Sequence, residues 1–89
     1  MNVIFYGKVT GFTNGDKSFV PESPNLFPNL RVLLDELGNR YNKEFSKFLT
    51  GSETCVILVN GKGIMLSGGL DTPINKDDKI EILPFVDAG

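Results

Sequence analysis

Two strand-like segments open the chain, separated by turn-forming residues. Residues 2–9 (NVIFYGKV) are rich in β-branched and aromatic side chains, which favours a first strand. The segment 11–16 (GFTNGD) is dense in turn-forming residues and predicts a connection to a short second strand at 17–20. Three prolines within 21–28 then exclude regular secondary structure up to about Asn29.

An apolar stripe at helical spacing follows these prolines. Its members, which recur at the intervals of one face of an amphipathic helix, are Leu30, Leu33, Leu34, Leu37 and Tyr41. Asn29 directly precedes the stripe and is a good N-cap candidate, because its side chain can accept a hydrogen bond from a first-turn amide. Gly38 is expected to weaken the helix by about 1 kcal/mol and to bend or end it. A second, shorter helix is predicted at 43–49.

The remaining third of the chain predicts three further strands. Residues 54–59 (TCVILV) form the most strand-like run of the sequence. Asn60 and Gly61 follow at once, a dipeptide typical of a type I′ hairpin turn, and lead into a short strand near 63–66. The last strand is predicted at 79–83.

This order of elements predicts an α+β protein with two layers. One main amphipathic helix can cover only one face of a sheet, here a mixed sheet of four to five strands. The first and last strands are both strongly apolar. We therefore expect them to be neighbours in the centre of the sheet.

Alternation along the strands predicts a buried face and an exposed apolar face. The side chains expected to meet the helix are Val3, Phe5, Ile57, Val59, Ile80 and Ile82. Glu81 and Leu83 point the other way from Ile80 and Ile82. The apolar residues of that opposite face are Ile4, Tyr6, Val56, Leu58 and Leu83, and we call these five the sheet patch.

An uncovered apolar patch of this kind usually marks a protein contact. The sheet patch is therefore predicted to bind partner proteins. Two alternatives remain at the level of sequence. The loop at 10–16 or the segment 43–52 could fold over this face, or the face could mediate self-association.

Composition narrows the possible functions. The 89 residues suffice for one domain, and the net charge of -2, with scattered basic residues, argues against nucleic acid or an anionic membrane as partner. The sequence contains no histidine and no phosphate-binding loop motif, which argues against a self-sufficient enzyme and against the usual zinc sites. Its single cysteine, Cys55, fits a reducing cytoplasm and is interpreted as a buried small hydrophobe.

Residues 59–84 carry the most specific pattern. They include the VNG hairpin, the LDTPI segment and the ILP ending, and upstream the VIFYG strand and the LRVLLDEL helix complete the pattern. Together they resemble the ubiquitin-like sulfur carriers of the MoaD/ThiS group, closest to the small subunit of molybdopterin synthase. The resemblance implies a β-grasp domain at 1–84 and a flexible C-terminal tail at 85–89.

The resemblance also implies a chemistry located at the chain terminus. In such carriers the carboxylate of the last glycine, here Gly89, is adenylated by an E1-like enzyme of the MoeB/ThiF type and converted to a thiocarboxylate. The sulfur is then used in molybdopterin (molybdenum or tungsten cofactor) biosynthesis by a larger catalytic subunit of the MoaE type. The carrier itself would be non-catalytic and would need no cofactor.

The implied tail consists of Phe85, Val86, Asp87 and Ala88, followed by Gly89. Five extended residues span roughly 17 Å, enough to thread a narrow channel in a partner. A terminal glycine has no Cβ, which leaves its carbonyl open to attack.

Ala88 departs from the pattern of this family, which has glycine at the penultimate position. Three interpretations remain open: the activating enzyme tolerates the methyl group, the chain is a variant with its own partner, or carrier activity has been lost. In the last case the protein would be a ubiquitin-like interaction module. A protein modifier conjugated to lysines through Gly89 is a further alternative.

Overall fold

A mixed sheet of five strands forms one layer of the described part of the protein. The computed structural model describes residues 1–51, 55–64 and 68–85. The strands are β1 (Asn2–Phe5), β2 (Ser18–Phe19), β3 (Cys55–Val59), β4 (Lys62–Gly63) and β5 (Lys79–Pro84). Their order across the sheet is β2-β1-β5-β3-β4.

The first and last strands lie side by side in the centre of this sheet. β1 and β5 are parallel, with Val3 opposite Ile80 and Phe5 opposite Ile82. The other three pairs, β1 with β2, β3 with β5 and β3 with β4, are antiparallel. The prediction that the two apolar terminal strands are central neighbours is confirmed.

Two helices form the second layer. They are α1 (Leu30–Arg40) and α2 (Lys43–Thr50), and each begins after an asparagine N-cap. The Oδ1 of Asn29 accepts from the Val32 amide at 3.1 Å, as predicted, and the Oδ1 of Asn42 accepts from the Phe45 amide at 2.8 Å. Neither of these helices, nor any other helix in the described residues, has the length and apolarity needed to cross a membrane.

The core lies between the helices and one face of the sheet. All six sheet residues predicted to face the helix are buried, together with the leucines of α1: Val3, Phe5, Ile57, Val59, Ile80, Ile82, Leu30, Leu33, Leu34 and Leu37. This confirms the two-layer α+β prediction, and the parallel central pair with a helix across one face is the β-grasp arrangement.

An aromatic cluster fixes the second helix and the first loop on this same side. The ring of Phe45 meets Phe5 edge-on at 5.8 Å and stacks on Phe12 at 5.5 Å, and Phe12 also stacks on Phe48 at 4.8 Å. Because Phe5 points into the core, the described parts of the segments 10–16 and 43–52 pack on the helix side of the sheet through these rings. They do not fold over the sheet patch.

The first strand is shorter than the sequence predicted. It ends at Phe5 instead of continuing to residue 9, and Gly7–Gly11 forms a 3-10 helix. Gly7 has a φ of +54°, a left-handed conformation that interrupts an extended strand. The β-branched residues of 2–9 therefore predicted the strand correctly but placed its C-terminal end too far along the chain.

The remaining strand bounds differ by a few residues. The second strand covers Ser18–Phe19 only, and the last strand extends one residue further, to Pro84. The hairpin is confirmed, since Asn60 and Gly61 both have positive φ. The strand that follows it, β4, is limited to Lys62–Gly63, and residues 65 and 66 of the predicted strand lie outside the described residues. Residue 54 of the predicted third strand also lies outside them.

Gly38 has a different role from the one predicted. It does not end α1, which continues to Arg40. Gly38 is buried where the two helices meet, and a Cβ at this position would lie 2.7 Å from the Cβ of Ser46. The missing side chain therefore allows α2 to pack closely against α1.

Gly38→Ala should destabilise the protein although alanine is the better helix former. The overpacking cost, about 1–3 kcal/mol, is expected to exceed the gain in helix propensity of about 1 kcal/mol and to lower the free energy of unfolding by about 1 kcal/mol. Urea unfolding measures this change. Asn39→Ala, at an exposed position of the same helix, is the control and should be neutral or stabilising. If Gly38→Ala stabilised the protein, the close contact with Ser46 would not be a constraint.

Candidate functional site

The sheet patch is assembled from the three central strands. Val56 on β3 lies opposite Leu83 on β5, and Ile4 and Leu58 lie on either side of Glu81. The Tyr6 amide donates to the Ile82 carbonyl at 3.0 Å, which continues the pairing of β1 with β5 one residue further. All five residues of the patch therefore occupy the face that points away from the helices.

This face is only partly shielded. Tyr6 and Val56 are each 37% exposed, values that place them among the exposed large hydrophobic residues. Ile4, Leu58 and Leu83 are half-buried. The patch thus presents apolar surface across the sheet centre, as predicted, and its binding to another protein stays a prediction.

Glu81 occupies the middle of this face and was not included in the predicted patch. It lies opposite both Ile4 and Leu58 in the strand register, and its side chain is only 16% exposed. Alternation alone placed Glu81 on this side of β5. The sequence did not show that apolar neighbours on both adjacent strands would partly bury it.

The Glu81 carboxylate is held by two neighbouring polar groups. The Tyr6 hydroxyl donates to Oε2 of Glu81 at 2.7 Å, and the Lys79 ammonium lies 3.9 Å from the same oxygen. The pKa of Tyr6 is raised above its ordinary value of 10.0, mainly because this hydrogen bond requires the proton, with contributions from desolvation and from the carboxylate charge. The hydroxyl of Tyr6 is therefore kept as a donor to Glu81.

The chain leaves the sheet next to the patch. Pro84 ends β5 opposite Cys55, one residue beyond the Leu83–Val56 pair, and Phe85 is 55% exposed. An open groove of about 500 Å³ lies at this point, lined by Lys8, Gly11, Phe12, Phe48, Pro84 and Phe85. The exit of the chain is thus bordered by aromatic surface on the helix side and by the sheet patch on the other.

Cys55 is half-buried at this end of the sheet rather than fully buried as interpreted from sequence. Its thiol lies 3.5 Å from the carbonyl oxygen of Phe48 and 3.7 Å from that of Leu49. The side chain contributes to packing between β3 and α2, and the partial exposure results from its place at the start of the strand.

The other predicted site residues lie outside the described residues. These are Val86, Asp87, Ala88 and Gly89, so their predicted roles are not tested by the geometry. Within the described ranges, no group of three or more acidic or cysteine side chains is placed to hold a metal ion.

The model of the ThiS family matches residues 3–89, which is nearly the whole sequence. The chain belongs to the ThiS family. The proteins of this group are ubiquitin-like sulfur carriers, as the resemblance noted in the sequence implied. No curated protein matches the sequence of this ThiS-family chain significantly.

Solved structures share the fold of this ThiS-family protein. CysO of Mycobacterium tuberculosis superposes with a TM-score of 0.80 at 26% identity, covering 96% of this chain and 98% of CysO. The BexX/CysO complex of Amycolatopsis orientalis contains a chain with a TM-score of 0.79 at 21% identity, covering 99% and 98%. A candidate molybdopterin converting factor subunit 1 of Pyrococcus furiosus has a TM-score of 0.67 at 20% identity, covering 96% and 95%. Because the Amycolatopsis orientalis and Pyrococcus furiosus proteins share only 21% and 20% of their sequence with this chain, these two comparisons show only a common fold.

The Tyr6–Glu81 contact can be tested by titrating the phenol. In a Tyr41→Phe background Tyr6 is the one remaining tyrosine, and tyrosinate absorbance should report a pKa above the ordinary 10.0. Adding Glu81→Gln should lower this pKa, because a neutral amide is a weaker hydrogen-bond acceptor for the phenol than the carboxylate and no longer repels the phenolate. Glu22→Gln, which removes an exposed carboxylate elsewhere, is the control. An unchanged pKa in Glu81→Gln would contradict the contact.

Proposed function

We propose that this protein carries sulfur as a thiocarboxylate at Gly89, on a tail formed by residues 85–89 that extends from a β-grasp domain at 1–84. The carboxylate of Gly89 attacks the α-phosphorus of ATP and pyrophosphate leaves, which gives an acyl-adenylate. A sulfur donor at the oxidation level of sulfide, such as hydrosulfide, then attacks the acyl carbon and displaces AMP, which leaves the thiocarboxylate. The observation that carries the proposal is the ThiS-family match, which extends to the last residue.

The chemistry would be supplied by partners. An E1-like adenylating enzyme of the MoeB/ThiF type activates Gly89, and a sulfur acceptor uses the product. A carboxylate is a poor electrophile, so adenylation by the partner is the step that makes sulfur transfer possible. The chain supplies an unhindered terminus and a surface by which the partner holds it.

The sheet patch is proposed as that surface. Leu83 belongs to the patch and is followed within two residues by the exposed Phe85, where the tail begins. A partner that covers Tyr6, Val56 and Leu83 would therefore lie directly over the start of the tail. Five tail residues then reach roughly 17 Å into the partner.

Molybdopterin biosynthesis is the proposed pathway, with a larger catalytic subunit of the MoaE type as acceptor. Support comes from the sequence resemblance to the small subunit of molybdopterin synthase and from the fold shared with the Pyrococcus furiosus protein. The BexX/CysO complex supports more generally the idea that a protein of this shape works in contact with a partner.

Sulfur carriage is tested by intact mass. After incubation with ATP, a sulfur source and the adenylating enzyme of the same organism, the protein should gain the mass difference between sulfur and oxygen, located at Gly89. Deletion of Gly89 is the negative control. If no adenylate and no thiocarboxylate form, the carrier function is contradicted, and recovery of activity by Ala88→Gly would identify the methyl group as the cause. Absence of activity in Ala88→Gly as well would favour the ubiquitin-like interaction module.

The docking role of the sheet patch is tested by introducing charge. Leu83→Asp and Tyr6→Asp should each weaken binding to the adenylating enzyme by more than about 10-fold, because a buried unpaired carboxylate replaces an apolar contact. Val32→Asp is a matched control, since Val32 is 36% exposed but lies on α1, on the opposite layer. Binding is measured by calorimetry, and thermal unfolding checks the fold of each variant. Unchanged affinity in both patch variants would refute the docking role.

A further inference from the structure

Glu81 interrupts the apolar surface at its centre. It lies on β5, the middle strand of the sheet, with Ile4 on one neighbouring strand and Leu58 on the other. Leu83 follows it on the same face, two residues along the strand. The Glu81 side chain as a whole is 16% exposed, so its carboxylate is partly shielded by its neighbours before any partner binds.

The two oxygens of this carboxylate are not equivalent. The Tyr6 hydroxyl and the Lys79 ammonium both approach Oε2, at 2.7 Å and 3.9 Å. Within the described ranges, no hydrogen-bond donor or cation contacts Oε1. An ionised carboxylate can accept about four hydrogen bonds, so Oε1 retains acceptor capacity that solvent satisfies in the unbound protein.

Docking of any partner over the patch would exclude this solvent. A buried charge that loses its water without gaining a donor is strongly destabilising for a complex. Lys79 does not remove the problem, because it contacts the oxygen that Tyr6 already occupies. A partner that binds tightly must therefore bring its own donor to Oε1.

We propose that the partner surface presents one arginine surrounded by apolar side chains, and that this arginine pairs with Glu81 through Oε1. The inference rests on the proposed docking of the adenylating enzyme on the sheet patch. Arginine fits better than lysine because its guanidinium is more weakly hydrated and loses less on burial between apolar residues. The carboxylate in the centre of the patch fixes the position of the arginine, and the surrounding residues exclude water from the pair.

The pair would select the correct partner as well as hold it. A competing surface that is apolar at the position of the arginine would leave Glu81 buried without a partner, and an acidic one would repel it. The same residue therefore disfavours association of the patch with a second copy of itself, because two such faces would bring two carboxylates together.

The test compares two substitutions that remove the charge in different ways. Glu81→Gln keeps the size and the ability to accept from Tyr6, and Glu81→Leu converts the position to apolar surface. With an arginine opposite, both should weaken binding to the adenylating enzyme of the same organism by at least about 10-fold, because the arginine is left buried and unpaired. Asp35→Asn, at an exposed position of α1, is the control and should bind as the wild type does.

The dependence on salt gives a second measurement. The wild-type affinity should decrease as ionic strength rises, and this decrease should be smaller in Glu81→Gln, because one charge pair is missing. Thermal unfolding verifies that each variant is folded at the temperature of the binding assay.

The outcomes separate this inference from the proposed function. Weaker binding by both variants, with an unchanged control, supports the arginine. Equal or tighter binding by either variant would overturn the arginine inference, and tighter binding by Glu81→Leu would indicate a purely apolar partner surface. In either case, thiocarboxylate formation by the wild type would leave the proposed carrier function intact. If the wild type neither binds the enzyme nor accepts sulfur, both proposals are overturned.

Discussion

The parallel pairing of β1 with β5 is the constraint on which the rest of the structure depends. It places the first and last strands side by side in the centre of the sheet. Ile80 and Ile82 of the last strand therefore complete the core, while Glu81 and Leu83 form the middle of the opposite face. A central last strand also means that the chain leaves the sheet beside its broadest surface. The position of Pro84 and Phe85 beside the patch therefore follows from a single strand pairing.

The helix layer determines which face remains available. Both helices and the first loop pack on one side, with Phe45 joining Phe5 and Phe12, and Gly38 allowing Ser46 to approach. The ring contacts among Phe5, Phe12 and Phe45 on this side stabilise a small core. Among the residues that the structure describes, no helix covers the other side of β1, β5 and β3, which is what the proposed surface for partner proteins requires.

The proposed function separates recognition from chemistry. The proposed reaction takes place at the terminal carboxylate within a partner, and the domain contributes position rather than catalytic groups. In the proposed docking, apolar area in the sheet patch would provide affinity, whereas the Tyr6–Glu81 pair would add a polar requirement that only a complementary surface satisfies. The two features would then serve different purposes on the same face.

The sequence by itself determined the two-layer α+β class, the central terminal strands, the N-cap at Asn29 and the hairpin at Asn60, because local periodicity and capping or turn chemistry specify these features. It also determined the family, through the motifs of residues 59–84. Only the tertiary structure decided the end of the first strand at Phe5, the packing role of Gly38 and the burial of Glu81. The strand ends where Gly7 takes a left-handed φ. The other two features depend on packing between separate elements, with Ser46 of α2 against Gly38 and apolar residues of two other strands beside Glu81, and no local pattern records such contacts.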